Sequence, residues 1–327
     1  MKASETASIP STNQSMTVVK KKQRPFMRKL SKYKWLLLMT LPGIIYLFIN
    51  NYIPMYGIIL AFKNYNYVDG IWGSPWAGFD NFKFLFQSPD AYIITRNTVL
   101  YNVAFISINL VLSLFVALLM NEIKDKVISR FYQSTFLLPH IISMVIVAYL
   151  VYSFLNVENG LVNRLLVDLF HIDPIAWYSN PDYWPYVLII VNAWKGVGYS
   201  AIIYFAAIIG IDKEYYEAAT IDGASKWRQM TRITLPLIAP VITTLTLLAV
   251  SGILRSDFGL FYQVPMNSGA LMPTTNTIDT FVYRAMIQLG DIGMSSAAGV
   301  YQSAVCFVLI LGANLAVRKI NKQNSLF

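Results

Sequence analysis

One polar loop carries the residue types best suited to a specific contact with another protein. Residues 211 to 240 read IDKEYYEAATIDGASKWRQMTRITLPLIAP. Asp212 is a favourable helix N-cap, and the charges of Glu214 and Glu217 suit the first turns of a helix. Gly223 can adopt the left-handed conformation that ends a helix. The pattern predicts a short surface helix, a turn and a second helical stretch, with the Glu217 carboxylate available to a partner's arginine.

Residue types for catalysis or metal binding are scarce. The chain has only two histidines, His140 and His171, and one cysteine, Cys306. It contains no H-E-x-x-H or G-x-S-x-G motif, so the usual zinc and acyl-transfer sites cannot be assembled. It also lacks the G-x-x-x-x-G-K-[ST] loop that cradles nucleotide phosphates. We expect no active site, metal or cofactor in this chain, and we interpret His140, which follows Pro139, as a helix-packing residue.

The elements that must position the loop are membrane spans. The chain is 56% hydrophobic and 13% charged, with a mean hydropathy of +0.49, which is too apolar for an ordinary soluble domain. A span needs about 20 predominantly apolar residues. Six stretches meet this requirement and predict an all-α polytopic membrane protein: 35–62, 95–120, 132–154, 184–210, 233–254 and 296–317.

The basic residues indicate the orientation. Lys and Arg concentrate in residues 20–34 and in the segments after the second, fourth and sixth spans, which places both termini in the cytoplasm. The net charge of +9 therefore reflects topology and does not indicate nucleic acid binding. The predicted organisation is a disordered basic tail (1–34), a six-span domain (35–320) with its cytoplasmic loop at 211–232, and a short cytoplasmic tail (321–327).

Aromatic residues are frequent in the predicted outer segments. They favour an interfacial belt or, alternatively, stacking on sugar rings. These residues are Trp72, Trp76, Phe79, Phe82, Phe84, Phe86, Trp177, Tyr178, Tyr183 and Trp184.

The loop resembles a family signature. Glu217-Ala218-Ala219, three residues, Gly223, nine residues and then Ile233-Thr234-Leu235-Pro236 is similar to the EAA motif of binding-protein-dependent ABC import permeases. Stretches such as STFLLPHIISMVIV (134–147) resemble maltose-type sugar and polysaccharide permeases, near the branch for lipoprotein or oligosaccharide uptake. The chain departs from the larger maltose-type permease because it lacks extra N-terminal spans and a large outer domain. The resemblance implies a type I ABC importer permease fold, with a coupling helix that docks on an ATPase subunit. The implied docking residues are Tyr215, Tyr216, Glu217, Ala218, Ala219, Ile221, Asp222, Gly223 and Ala224.

The same resemblance implies partners and a cargo. The expected partners are a second homologous permease, a dimer of ATP-binding subunits that holds ATP and Mg, and an extracytoplasmic solute-binding protein. The expected cargo is a carbohydrate, an oligo- or polysaccharide, and the expected location is the bacterial cytoplasmic (inner) membrane. The path residues suggested by similar transporters and by charge are Trp194, Lys195, Tyr199, Tyr204, Arg255 and Asp257.

Three of these path residues have alternative interpretations. Lys195 lies deep in the fourth span, near Gly196 and Gly198, which we expect to loosen or kink the helix. Its side chain either lines the solute path or pairs with a backbone carbonyl. Arg255 and Asp257 form a local ion pair or contact an anionic sugar or the solute-binding protein.

Three other functions compete with sugar import. An ABC importer for another polar solute would share the membrane spans and the Glu217 to Gly223 loop. An ion-coupled secondary transporter usually places carboxylates inside its spans, and none of the six segments contains one. A non-transporting membrane subunit would not need the Glu217 to Gly223 arrangement.

Overall fold

The computed structural model describes residues 32–320, and regular structure in this part of the chain is helical apart from one isolated β-bridge between Lys63 and Trp76. The predicted tails therefore lie, except for residues 32–34, outside the described residues. The principal helices are α1 (Lys34–Phe62), α2 (Pro89–Asn121), α3 (Lys126–Ile141), α4 (Met144–Leu155), α5 (Leu161–Phe170), α6 (Trp184–Ile209), α7 (Lys213–Ile221), α8 (Lys226–Val250), α9 (Ile278–Arg284) and α10 (Ile292–Ile320). Shorter helical segments are Gly70–Gly73, Asp80–Phe82, Phe84–Gln87, Pro181–Tyr183, Gly259–Gln263, Gly269–Leu271, Met272–Thr275 and Ala285–Leu289.

Five of the helices are long and apolar enough to cross a membrane, and α3 with α4 gives a sixth span if the bent pair counts as one. This agrees with the six predicted spans in number and approximate position. Two of the five contain irregular turns: α1 passes through a π-helical turn at Phe48–Tyr52, and α8 through one at Met230–Thr234.

The third span differs from its prediction as one continuous helix over 132–154. It breaks at Ile142 and Ser143, and its two halves, α3 and α4, meet at 92°. Pro139 lies in the last turn of α3, where it has no N–H to donate to the helix. The break leaves carbonyl groups at the end of α3 without helical partners, and these need donors from elsewhere in the fold.

The chain divides into two compact units, one ending at Tyr56 and one beginning at Gly57. Within the second unit, α2 and α6 pack along each other and form the centre of the bundle. At the end nearest α7, buried Met120 of α2, Tyr204 and Phe205 of α6 and Ile238 of α8 form one apolar cluster. This cluster packs the end of α6 against the beginning of α8. Helix α7 connects these two helices in sequence.

The outer aromatic residues separate into two groups. Trp72, Trp76 and Phe79 are exposed, as both aromatic interpretations require. Trp184 is completely buried in a core cluster, and its indole N–H donates to the carbonyl of Trp177 at 2.7 Å. For Trp184 the prediction of an interfacial or sugar-stacking position was therefore wrong, because the residue packs against neighbouring helices.

Candidate functional site

Helix α7 begins and ends at the predicted residues. The Asp212 carboxylate accepts a hydrogen bond from the Glu214 N–H at 3.1 Å and so caps the N-terminus. At the other end, Ala224 donates to the Ala219 carbonyl at 2.9 Å and Gly223 to the Thr220 carbonyl at 3.0 Å. These two bonds are the Schellman pattern, and Gly223 adopts the left-handed conformation it requires, with φ of +76°. The predicted helix and turn are confirmed.

The beginning of α8 is tied back to α7. The Gln229 amide is buried and donates to the Thr220 hydroxyl at 3.0 Å and to the Ala224 carbonyl at 3.3 Å. The Tyr216 and Thr234 hydroxyl groups are 2.9 Å apart and share a hydrogen bond. These contacts make residues 213–234, the α7–α8 hairpin, a braced unit. Tyr216, expected at the docking surface, is half-buried and acts as one of the braces.

Several other side chains of α7 are open to solvent. Ile221 is 87% exposed and Tyr215 57% exposed, and Glu217 and Ala218 lie in the same turns with exposed side chains. Within residues 32–320 the ion pairs are Lys83–Asp80 and Lys226–Glu122, so Glu217 has no counter-ion in the described structure. An unpaired carboxylate beside small and apolar side chains is suited to a protein partner that supplies an arginine.

Gly223 allows a prediction about this turn. No atom lies within 4 Å of a Cβ built at Gly223, so a side chain there meets no steric obstacle, only an unfavourable backbone conformation. Replacing Gly223 by valine should destabilise the turn by about 1–2 kcal/mol and uncouple the hairpin from a partner. Gly223→Asn is the matched control, because asparagine tolerates left-handed φ. Hydrogen exchange of the α7 amides should accelerate in the valine variant; equal exchange in both variants would contradict this account.

Lys195 lies where α6 crosses the break between α3 and α4. Its ammonium group donates to the carbonyl oxygens of His140 at 3.1 Å and Ile142 at 2.7 Å. These acceptors belong to the end of α3, so the cation also meets the negative end of that helix. The pairing with backbone carbonyls that the sequence left open is therefore present. His140 stacks on Tyr199 of α6 with ring centroids 4.7 Å apart, in the packing role expected for it.

Removing this ammonium group should weaken the fold. We expect Lys195→Ala to lower the stability of the solubilised protein by about 1–3 kcal/mol, because two carbonyl groups lose a charged donor. The matched control is Lys213→Ala on exposed α7. Thermal unfolding measures the difference. An unchanged midpoint together with an altered solute preference would assign Lys195 to the solute path alone.

The two glycines near Lys195, expected to loosen or kink α6, do not interrupt it. The helix is continuous through Gly196 and Gly198. Gly198 instead lets α3 approach, because a Cβ built there would lie 1.8 Å from the Phe136 carbonyl oxygen. The reason for this glycine is close helix packing, as is common in membranes.

Arg255 and Asp257 do not form the local ion pair considered above. Both side chains are exposed, and Asp257 accepts a hydrogen bond from the Leu260 N–H at 3.1 Å instead. Asp257 and Tyr204 line a cavity of about 250 Å³ between α2, α6 and α8. The other four expected path residues, Trp194, Lys195, Tyr199 and Arg255, do not line this cavity.

Three asparagines in this cavity escaped the sequence analysis. Asn109 donates to the Asn192 side-chain oxygen at 2.7 Å, while its own buried side-chain oxygen has no hydrogen-bond partner. Asn102 lies on the same face of α2 as Asn109 and lines the same cavity. Asn102 and Asn109 are seven residues apart inside one predicted span. This spacing could have identified them from the sequence, because polar residues in spans indicate function. The cavity offers amide groups and one unpaired acceptor to a hydroxyl-bearing ligand.

Comparisons with known proteins agree with this arrangement. Residues 109–322 match the family described as binding-protein-dependent transport system inner membrane component. Protein LplB of Bacillus subtilis is 34% identical over 94% of this chain and 98% of its own length. The polygalacturonan/rhamnogalacturonan transport system permease protein YteP of the same organism is 35% identical over 93% of this chain and 94% of its own length.

A solved structure gives the same result. A chain of a bacterial ABC transporter involved in the import of the acidic polysaccharide alginate superposes with a TM-score of 0.82 at 33% identity. The match covers 91% of this chain and all of that chain. A chain of a bacterial alginate ABC transporter in complex with an alginate pentasaccharide-bound periplasmic protein also superposes with a TM-score of 0.82.

Proposed function

The chain belongs to the family of binding-protein-dependent transport system inner membrane components, and because relatives such as YteP are named as saccharide permeases, we propose that it imports a carbohydrate. The cargo is an oligo- or polysaccharide delivered by an extracytoplasmic solute-binding protein. The chain pairs with a second homologous permease in the bacterial cytoplasmic membrane, with both termini in the cytoplasm. Separate ATPase subunits bind ATP and Mg.

The observation that carries the proposal is the α7–α8 hairpin. Its internal hydrogen bonds hold Tyr215, Glu217 and Ile221 on an open surface. A groove on the ATPase subunit receives this surface, and an arginine of the groove pairs with Glu217. Because the hydrogen bonds of Tyr216 and Gln229 tie α7 to α8, movement of the ATPase is transmitted to a membrane span.

The polar cavity between α2, α6 and α8 is the proposed solute contact in this chain. The unpaired Asn109 oxygen accepts a sugar hydroxyl, and Asn192, Tyr204 and Asp257 provide further hydrogen bonds. Unpaired polar groups are costly when buried, so a ligand that satisfies Asn109 is favoured over an apolar one. ATP-driven movement of α7 and α8 alternately opens this cavity to the two sides of the membrane.

Reconstitution tests the cargo. We expect the purified complex, with its solute-binding protein, to hydrolyse ATP faster when neutral or acidic oligosaccharides are added singly. Stimulation by a saccharide supports the proposal and identifies the sugar. Stimulation only by a non-carbohydrate solute would leave an ABC importer but contradict the carbohydrate assignment.

A further inference from the structure

A cluster of cations lies at the α7 end of the bundle, next to the hairpin, and its Lys124 also lines a second cavity with Glu217 and Ile221. Lys124, Lys126 and Arg130 line a cleft of about 290 Å³ beside the ends of α2 and α6. No carboxylate between residues 32 and 320 forms an ion pair with any of the three. The cleft therefore carries positive charge that the described part of the chain does not neutralise.

The acids close to this cleft in sequence already have partners. Asp125 accepts hydrogen bonds from the Val127 and Ile128 N–H groups at 2.7 and 2.9 Å, so it occupies the N-terminus of α3. Glu122 pairs with Lys226 at 3.5 Å. Because Asp125 already accepts from the N-terminal N–H groups of α3, these groups would contribute little to binding an external anion. The cationic side chains would hold it instead.

The cleft has a polar wall and an apolar floor. Residues 126, 129, 130 and 133 of α3 all line it, and their spacing places them on one face of that helix. The apolar lining consists of Ile209 of α6, which is 62% exposed, half-buried Ile123, and the nearly buried Met120 of α2 and Phe205 of α6. Cations above apolar side chains, at the ends of membrane-spanning helices, match the chemistry of a charged lipid in which a phosphate precedes acyl chains.

We propose that this cleft binds an anionic phospholipid. Lys126 and Arg130 contact the phosphate group, Lys124 approaches it from the α2–α3 turn, and an acyl chain lies along Ile123 and Ile209. A soluble protein partner would account for the cations but would leave the apolar floor unexplained. The inference needs only a membrane location and stands independently of the cargo and of the docking role of α7.

Native mass spectrometry of the full chain in detergent tests the site. The probes are phosphatidylglycerol and phosphatidylcholine with the same acyl chains. We expect wild-type protein to retain phosphatidylglycerol in preference, and K126Q/R130Q to bind it about 30-fold more weakly, roughly fivefold for each lost cation. The matched control, R318Q/K319Q, removes two charges from the last turn of α10, outside the cleft, and should retain wild-type affinity.

Four outcomes would overturn the proposal. Equal weakening in both double variants would show a general charge effect, and equal binding of phosphatidylcholine would show that the anion is irrelevant. Displacement of the lipid by millimolar inorganic phosphate would assign the cleft to a free anion. Displacement by the bound ATPase subunit in the assembled complex would assign it to a protein interface. Thermal unfolding confirms that both double variants are folded.

Discussion

Replacing Glu217 by lysine is expected to abolish ATP-driven uptake while membrane insertion and stability remain unchanged. The Glu217 side chain is exposed and has no counter-ion among residues 32–320, so folding does not depend on it. A partner's arginine would meet a like charge in the variant. Loss of a buried charged pair at an interface typically costs about 2–5 kcal/mol, which is roughly 30-fold or more in docking affinity.

The control for this prediction is Glu158→Lys, the same charge reversal at an exposed residue in the turn that follows α4. The measurement is uptake per ATP hydrolysed in proteoliposomes, together with the amount of ATPase subunit that co-purifies with each variant. Normal uptake by Glu217→Lys would contradict the docking assignment. Equal loss in both variants would attribute the effect to charge alone.

Replacing Gly198 by alanine is expected to cause a large loss of stability. The new Cβ would lie 1.8 Å from the Phe136 carbonyl oxygen and 2.5 Å from its carbonyl carbon. Because the obstacle is backbone and not a flexible side chain, α3 and α6 must separate. Overpacking of this kind costs about 1–3 kcal/mol, and Gly198→Leu should prevent the two helices from packing at all.

Gly299→Ala is the matched control, because Gly299 lies within α10 and a Cβ built there meets no atom within 4 Å. Alanine favours a helix interior by up to about 1 kcal/mol over glycine, so this variant should be as stable as wild type or slightly more stable. Thermal unfolding in detergent distinguishes the two. A midpoint for Gly198→Ala equal to that of Gly299→Ala would show that α3 and α6 do not approach as described.

The features predicted correctly are those that neighbouring residues determine. Asp212 caps α7 through an N–H two residues away, and Gly223 closes the turn with bonds inside residues 219–224. The spans could be predicted because a stretch of about 20 apolar residues is a local property. The carbonyl pairing of Lys195 is not local in this sense: it was one of two open alternatives, and the sequence did not indicate which carbonyl groups accept from it.

The features that were missed depend on contacts between distant segments. The break at Ile142 was not predicted, and the lysine that donates to its carbonyl groups, Lys195, is more than 50 residues away in sequence. Tyr216 turns inward because Thr234 meets it from α8. The unpaired Asn109 oxygen is visible only after α2 and α6 are packed. A sequence pattern assigns such residues to an element but not to a partner.

Crosslinking from α7 tests most directly whether this hairpin couples the permease to an ATPase. Cys306 is the only cysteine, so a Cys306→Ala background accepts single cysteines at Ile221, 87% exposed on α7, and at Tyr186, 68% exposed at the opposite end of α6. In the assembled complex, a short bifunctional maleimide should join Ile221→Cys, but not Tyr186→Cys, to an engineered cysteine in the ATPase groove. If both cysteines react with a maleimide dye and Ile221→Cys still yields no ATPase adduct, the hairpin is not the coupling site.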